Sequence, residues 1–139
     1  MTTIADIMTR SIATVQRDET LQAAARRMQE MDVGSLPVLD GRAVAGMVTD
    51  RDIAVRGVAE GMIPQESLVA DVMTEKVRFC RAEDSVEQVM AEMGDLQVRR
   101  FPVLDAGNEV VGIVALADLA TRQSAHTDET LREISTPGR

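Results

Sequence analysis

Residues 36–52 have the sequence LPVLDGRAVAGMVTDRD, and residues 101–118 have the sequence FPVLDAGNEVVGIVALAD. Each stretch begins with an apolar residue, Pro, Val, Leu and Asp, and each ends with a Gly followed six residues later by Asp. The beginnings lie 65 positions apart and the ends 66, so the second stretch has one extra residue in the Ala106–Glu109 turn. Turns tolerate such insertions. The two stretches indicate an internal duplication.

The duplication extends outward, because Met8-Thr9 recurs as Met73-Thr74 with the same shift of 65 positions. Two copies of roughly 60 residues are too few for a solenoid, and each is marginal as a separate domain. We therefore expect the two copies to pack together with approximate two-fold symmetry. The predicted organisation is a first repeat at 4–60, a connector at 61–67, a second repeat at 68–123 and a polar tail at 124–139.

Hydrophobic periodicity predicts the order helix, strand, helix, strand, strand, helix in each copy. The fold class is α/β (α+β), with a small sheet flanked by two helices in each repeat. Ser85 and Gln88 form a candidate capping box, and Asp40-Gly41 is a candidate turn. The predicted elements are 4–9, 13–15, 20–31, 36–39, 44–49 and 50–59, then 68–74, 77–80, 85–93, 101–104, 110–115 and 116–123, with a short helix at 128–135 in the tail.

Composition excludes several classes of function. The chain has 139 residues, a formal net charge of -8, and neither Trp nor Tyr. Such a chain repels phosphate backbones and lacks aromatic stacking platforms, so we expect no nucleic-acid partner. A single cysteine permits no internal disulfide, which is typical of the cytoplasm. No signal peptide or membrane span is visible, so we expect a cytoplasmic protein that does not contact the membrane.

The pattern DIMT…GSLPVLD…AGMVTDRDI, followed by DVMT…VRRFPVLD…VVGIVALADL, resembles a tandem pair of CBS (cystathionine-beta-synthase) domains, a Bateman module. The resemblance covers about residues 4–123. It is strongest to short stand-alone bacterial pairs, including the mycobacterial hypoxic-response type. It implies two related clefts between the repeats that bind AMP, ADP, ATP, S-adenosylmethionine or NAD-type ligands. It also implies a disc-shaped homodimer of two modules.

The first copy contains the family's ribose-and-phosphate motif as Gly46-Met47-Val48-Thr49-Asp50-Arg51-Asp52. The resemblance implies that Asp52 accepts the ribose hydroxyls and that Thr49 contacts the phosphate, with Arg51 beside them. A carboxylate can accept both ribose hydroxyls, and helix N-terminal amides suit a phosphate. The alternative is a capping box, in which Asp52 bonds back to the Thr49 amide. An Asp held in that way does not face a ribose.

The second copy keeps the acid as Asp118 but has Ala115 in place of the hydroxyl. Asp118 is either a ligand contact or an early-helix acid favoured by the helix dipole. Arg99 and Arg100 precede Phe101-Pro102. The resemblance implies that Arg100 binds the ligand phosphate, for which a guanidinium is well suited. The alternative for both arginines is a solvated strand edge.

The resemblance places adenine against the first extended segment of each copy. The candidates are Ile12, Ala13 and Thr14, then Val77, Arg78 and Phe79, with Phe101 and Pro102 beside Arg100. Apolar walls with a few polar anchors are typical of small-molecule sites. These side chains would also serve as core in any fold.

No catalytic constellation accompanies these residues. His126 is the only histidine and Cys80 the only cysteine. A nucleophile needs a base within reach, and a metal site needs more ligands than these two, so we expect no enzyme and no metal. Two functions remain. The first is a regulatory module that binds an adenine nucleotide, and the second is a ligand-free dimeric module that regulates a separate enzyme or transporter.

Overall fold

The computed structural model describes residues 2–10 and 12–121. The predicted tail helix at 128–135 and His126 lie outside the described residues. The α-helices are α1 (Ile4–Ile7), α2 (Leu21–Met31) and α3 (Val86–Leu96). The strands are β1 (Val15–Gln16), β2 (Ser35–Asp40), β3 (Ala43–Thr49), β4 (Cys80–Arg81), β5 (Arg100–Leu104) and β6 (Val110–Ala115). Residues 116–121 are helical.

The two long helices begin at the hydroxyl residues that the sequence indicated. The Thr20 hydroxyl accepts the Ala23 amide at 3.1 Å, and the Ser85 hydroxyl accepts the Gln88 amide at 3.2 Å. Each cap satisfies an amide that has no partner within its helix. Helix α3 runs three residues beyond the predicted end at Met93 and stops only where Gln97 adopts a left-handed conformation, with φ 57°.

The two sheets have matching register. In the first, β1 runs parallel to β2 with Val15 opposite Val38, and β2 pairs antiparallel with β3. In the second, β4 runs parallel to β5 with Cys80 opposite Val103, and β6 completes the sheet beyond β5. Cys80 and Val103 each lie 65 positions after their counterparts. The mixed α/β fold with one small sheet in each repeat is confirmed.

The chain forms two compact units. The described part of the first unit contains residues 12–78 and 106–110, and that of the second contains 2–10, 79–105 and 111–121. The first core consists of Val15, Leu21, Ala24, Met28, Leu36, Val38, Val48, Val69, Val72 and Met73. The second core consists of Ile4, Ile7, Met8, Cys80, Val86, Val89, Met93, Phe101, Val103, Val114 and Leu119.

The segments that lead into each repeat are exchanged between these cores. Ile4, Ile7 and Met8, which precede the first repeat's sheet, pack in the core with the second sheet. Their counterparts 65 positions later, Val69, Val72 and Met73, pack in the core with the first sheet. Each unit is therefore built from parts of both repeats.

The helix predicted over 50–59 is confirmed, and it is not a regular α-helix. Asp52–Gly57 is a π-helix and Val58–Glu60 is a 3-10 helix. The Val58 amide reaches both the Ile53 and Ala54 carbonyls. Gly57 is buried there, and a Cβ on it would lie 3.0 Å from Leu21 Cδ1. Sequence periodicity does not distinguish a π-helical turn from an α-helical turn, so the sequence predicted the helix but not its type.

Within the described residues, no helix combines the length and the apolar character that crossing a bilayer requires.

Candidate functional site

The predicted ribose motif lies where β3 ends and the next helix begins. The Thr49 amide donates to Asp52 Oδ2 at 3.0 Å, and the Asp52 amide donates to the Thr49 hydroxyl at 3.0 Å. This reciprocal pair is the capping box, so the capping alternative is confirmed for Thr49 and Asp52. The Asp52 side chain is 15% exposed, and its Oδ1 lies 4.0 Å from Arg56 Nε. One carboxylate oxygen is therefore committed to the cap, and the other has no hydrogen bond to Arg56.

The glycine at the start of the motif in each copy has a structural cause. At Gly46, the Thr74 carbonyl occupies the space that a side chain would take. The Met47 amide donates to the Thr74 carbonyl at 3.0 Å, and the Thr74 amide donates back at 2.8 Å. Gly112 has the same role in the second copy, where a Cβ would lie 2.8 Å from the Thr9 carbonyl oxygen. Both glycines admit an exchanged lead-in segment rather than a ligand.

The predicted adenine wall of the first copy is held in place by an ion pair. Ile12, Ala13 and Thr14 are half-buried. Arg27 donates to the Thr14 carbonyl at 2.9 Å and to both oxygens of Glu19, at 3.1 and 3.0 Å. The Arg27 hydrogen bond lowers the pKa of Glu19, and the same bond raises the pKa of Arg27. This bidentate pair fixes the backbone on which Ala13 and Thr14 lie.

Sequence reasoning missed Arg27 and Glu19. The two residues are eight positions apart, with Glu19 in the turn before α2 and Arg27 within α2, and Arg27 also reaches back to Thr14 before β1. No local motif marks such a pair. The matching positions in the second repeat are Glu92 and Asp84, so that repeat has two acids where the first has an ion pair.

The second copy presents its predicted residues in different ways. Asp118 is exposed within the helix 116–121, and Arg100 is exposed at the start of β5. Phe101 is 0% exposed in the second core and Pro102 is buried, so only their backbones can face a ligand. The Leu116 amide donates to the Arg99 carbonyl at 2.7 Å. Ala115 and Leu116 carry no side-chain acceptor that could cap the following amides.

The segment before β4 is divided between the units. Val77 is half-buried and Arg78 exposed, and both belong to the first unit, whereas Phe79 begins a segment of the second. Phe79 is 45% exposed, and the Arg81 guanidinium lies 5.4 Å from its ring centroid. That contact is a cation–π interaction at an exposed site. The sequence treated Val77, Arg78 and Phe79 as one wall, and the structure does not bring all three into one unit.

Cys80 is a buried core residue. Its sulfur lies 3.9 Å from the Pro102 carbonyl oxygen. Burial, with smaller contributions from Asp84 and Glu92, raises the pKa of the thiol to about 12. The thiol is protonated at neutral pH and a poor nucleophile or metal ligand. Among residues 2–10 and 12–121, no group of three or more His, Cys, Asp or Glu side chains is suited to holding a metal ion.

A surface depression of about 240 Å³ lies in the first unit, away from the predicted residues. Its lining residues are Gln16, Arg17, Asp18, Asp40, Leu68 and Ala70. None of them belongs to the ribose motif or the adenine wall.

The repeated sheets, the motif at the end of β3 and its counterpart after β6 define a protein with a tandem pair of small α/β repeats. The CBS domain family profile matches residues 4–57 and 69–125, and the chain belongs to that family. The chain is similar to Hypoxic response protein 1 of Mycobacterium tuberculosis, with 38% identity over 127 residues, covering 91% of this chain and 88% of that protein.

Solved structures agree with this assignment. A crystal structure of Hypoxic Response Protein I, which has two coordinated zinc ions, matches with a TM-score of 0.77 and 38% identity over 86% of this chain and 98% of that one. The CBS domain pair of protein MJ0100, in complex with 5'-methylthioadenosine and S-adenosyl-L-methionine, matches with a TM-score of 0.79 and 23% identity over 91% and 98%. CBSX2 in complex with AMP matches with a TM-score of 0.75 and 22% identity over 91% and 99%. The last two show the shared fold.

Proposed function

We propose that this protein is a non-catalytic regulatory module that binds an adenosyl ligand, such as AMP, ADP, ATP or S-adenosylmethionine. The observation that carries the proposal is the Thr49–Asp52 motif at a strand-to-helix junction, repeated in part at Ala115–Asp118. Adenosyl ligands in the structures of MJ0100 and CBSX2 support it. The regulatory output is a ligand-dependent change in a dimer or in a partner protein.

The first-repeat site consists of Ala13, Thr14, Thr49, Arg51 and Asp52. Asp52 Oδ1 accepts a ribose hydroxyl while Oδ2 keeps the capping bond, because a carboxylate has lone pairs for both. This division removes the conflict between capping and binding that the motif alone suggested. The Ala13–Thr14 backbone, braced by Arg27, supplies the wall for the adenine ring.

The second-repeat site consists of Arg100, Asp118 and the backbones of Phe101 and Pro102. Arg100 is the phosphate-binding residue, since an exposed guanidinium can pair with a phosphate bidentately. Asp118 has no Thr partner for a capping box, so its carboxylate is available to a ribose.

Thermal unfolding with AMP, ADP, ATP, S-adenosylmethionine and NADH tests the proposal. A ligand at about 100 times its Kd adds roughly 2.7 kcal/mol to the free energy of unfolding. Asp52→Ala combined with Asp118→Ala is expected to abolish the shift. Asp71→Ala is the matched control, because Asp71 accepts the Leu68 amide at 3.0 Å in the same type of cap but belongs to neither site. The proposal fails if no ligand shifts the wild type at millimolar concentration.

A second candidate function is a ligand-free dimeric module that regulates a separate enzyme or transporter. Exposed apolar side chains favour it: Val55 is 46% exposed, Val58 60% and Ile63 51%. Val55 and Val58 lie three positions apart in one helical segment, and exposed apolar side chains that cluster on a surface are typical of protein interfaces. Light scattering is expected to report a homodimer that Val58→Asp weakens. A partner recovered equally by wild type and by the double Asp variant would favour this function over ligand sensing.

We further propose that the protein acts in the cytoplasm without nucleic-acid, membrane or metal partners. The net charge of -8 supports the absence of a nucleic-acid partner. The duplication unit is proposed to span residues 4–60 and 68–123, with 61–67 as the connector.

A further inference from the structure

The first amides of the helix after β3 are all occupied by the protein itself. The Asp50 amide donates to the Gly34 carbonyl at 2.9 Å, and the Arg51 amide donates to Asp50 Oδ1 at 2.8 Å. The Asp52 amide donates to the Thr49 hydroxyl at 3.0 Å. A phosphate binds a helix N-terminus through free amides of this first turn. In this protein, a phosphate would have to displace three hydrogen bonds to gain the amides of Asp50, Arg51 and Asp52.

A carboxylate also lies beside this helix start. Asp50 Oδ2 is 3.0 Å from the position that a Cβ on Gly34 would take, so the carboxylate lies against the Gly34 backbone. Asp50 is exposed, and its carboxylate adds negative charge next to Thr49. Arg56, a nearby cation, is directed at the Val72 and Met73 carbonyls, at 3.4 and 3.5 Å, as well as at Asp52.

The matching positions of the second repeat have the opposite charge. Gly34, Ser35, Asp50, Arg51 and Asp52 contain two carboxylates and one guanidinium, for a formal charge of -1. Their counterparts Arg99, Arg100, Leu116, Ala117 and Asp118 contain two guanidinium groups and one carboxylate, for a formal charge of +1. The two repeats therefore differ by two charges where the 5' group of an adenosyl ligand would lie.

We propose that the first-repeat site selects adenosyl ligands that carry no phosphate, and that Asp50 is the residue that excludes phosphate. The inference rests on the proposed function and narrows it. The ligand class is an adenosyl group with a neutral or cationic 5' substituent, such as a nucleoside, a thioether or a sulfonium. A phosphate dianion within about 4 Å of Asp50 is expected to lose roughly tenfold in affinity.

Calorimetric titration of adenosine and AMP into the Asp118→Ala variant, in which the second-repeat site is disabled, tests the proposal. AMP is expected to bind at least about tenfold more weakly than adenosine. Asp50→Asn keeps an acceptor for the Arg51 amide and removes the charge, so AMP affinity is expected to rise while adenosine affinity stays within about twofold. Asp18→Asn, an exposed change of equal charge in the same unit, is the matched control.

Equal affinity for AMP and adenosine in the Asp118→Ala variant would overturn the proposal. An affinity ratio that Asp50→Asn leaves unchanged, or that Asp18→Asn changes equally, would also overturn it. If neither compound binds the wild type and no ligand of the thermal-unfolding panel shifts it, the proposed function itself fails, and this result is distinct from the first two. Urea unfolding of Asp50→Asn, and of Asp50→Ser as a second variant, checks that a change in ligand affinity is not caused by a loss of structure.

Discussion

Replacing Gly46 by alanine perturbs the point where a lead-in segment meets a sheet. The new Cβ would lie inside the contact distance of the Thr74 carbonyl oxygen, 3.1 Å from the carbonyl carbon and 3.2 Å from Glu75 Cα. The neighbours are backbone atoms, so no flexible side chain can move aside. Relief requires the Thr74 segment to separate from β3, which breaks the two hydrogen bonds between Met47 and Thr74. Each is worth about 1 kcal/mol, and more if its donor stays buried and unpaired, so we expect a loss of roughly 2–4 kcal/mol.

Urea unfolding followed by circular dichroism measures this loss. Gly94→Ala is the control, because Gly94 lies within α3 and a Cβ there meets nothing within 4 Å. That substitution is expected to stabilise the protein by about 0.5–1 kcal/mol through helix propensity. Gly112→Ala is expected to resemble Gly46→Ala, since a Cβ there would lie 2.7 Å from Met8 Sδ and 2.8 Å from the Thr9 carbonyl. A Gly46→Ala variant within roughly 0.5 kcal/mol of wild type would refute the reasoning.

Three further predictions follow from single contacts. Arg27 lowers the pKa of Glu19 below its ordinary value of 4.5, so Glu19→Gln is expected to cost about 1 kcal/mol at pH 7. This difference is expected to shrink as the pH falls below 4.5, and a difference that does not shrink there would contradict the ion pair. Burial raises the pKa of Cys80 from 9.0 to about 12, so the native thiol is expected to react with a disulfide reagent at pH 8 about a thousandfold more slowly than in urea. The free energy of unfolding is expected to fall as the pH rises above 9. Fast labelling of the native protein would show that the thiol is accessible. Ala115→Thr creates a Thr-x-x-Asp capping box and is expected to raise the free energy of unfolding in urea by roughly 0.5–1 kcal/mol. Thr49→Ala is expected to lower it by about 1 kcal/mol. No gain from Ala115→Thr would show that Asp118 does not reach the cap.

Local signals in the sequence predicted the fold well. Thr20 and Ser85 begin their helices, Asp40-Gly41 forms the turn with Gly41 at φ 68°, and β6 has the predicted bounds. These features depend on neighbours within a few residues, and the chain shows them twice. The duplication also doubled the evidence for each strand, because an alternation too short to interpret once is informative when it recurs 65 residues later.

Features that depend on distant contacts could not be predicted in this way. The Arg27–Thr14 hydrogen bond joins α2 to the segment before β1, and the exchange of Ile4 and Val69 between cores depends on which sheet each segment meets. In the candidate site, too, the local spacing could be interpreted from the sequence, whereas the side-chain geometry could not. The Thr49–Asp52 spacing predicted either a cap or a ligand contact, and only the geometry assigned one oxygen to the cap. The position of the Asp50 carboxylate against Gly34 had no signal in the sequence.

The exchanged lead-in segments bear on how such a chain could have arisen. A single ancestral repeat would have lacked three core side chains, those now supplied as Val69, Val72 and Met73 to one unit and as Ile4, Ile7 and Met8 to the other. Two separate copies could complete each other by reciprocal strand-and-helix swapping, which is a low-cost route to a dimer. Gene fusion would then join two partners that already depended on each other. The connector would in this sense be a tether between two partners that already shared their cores, and its Met62 also packs against the first core.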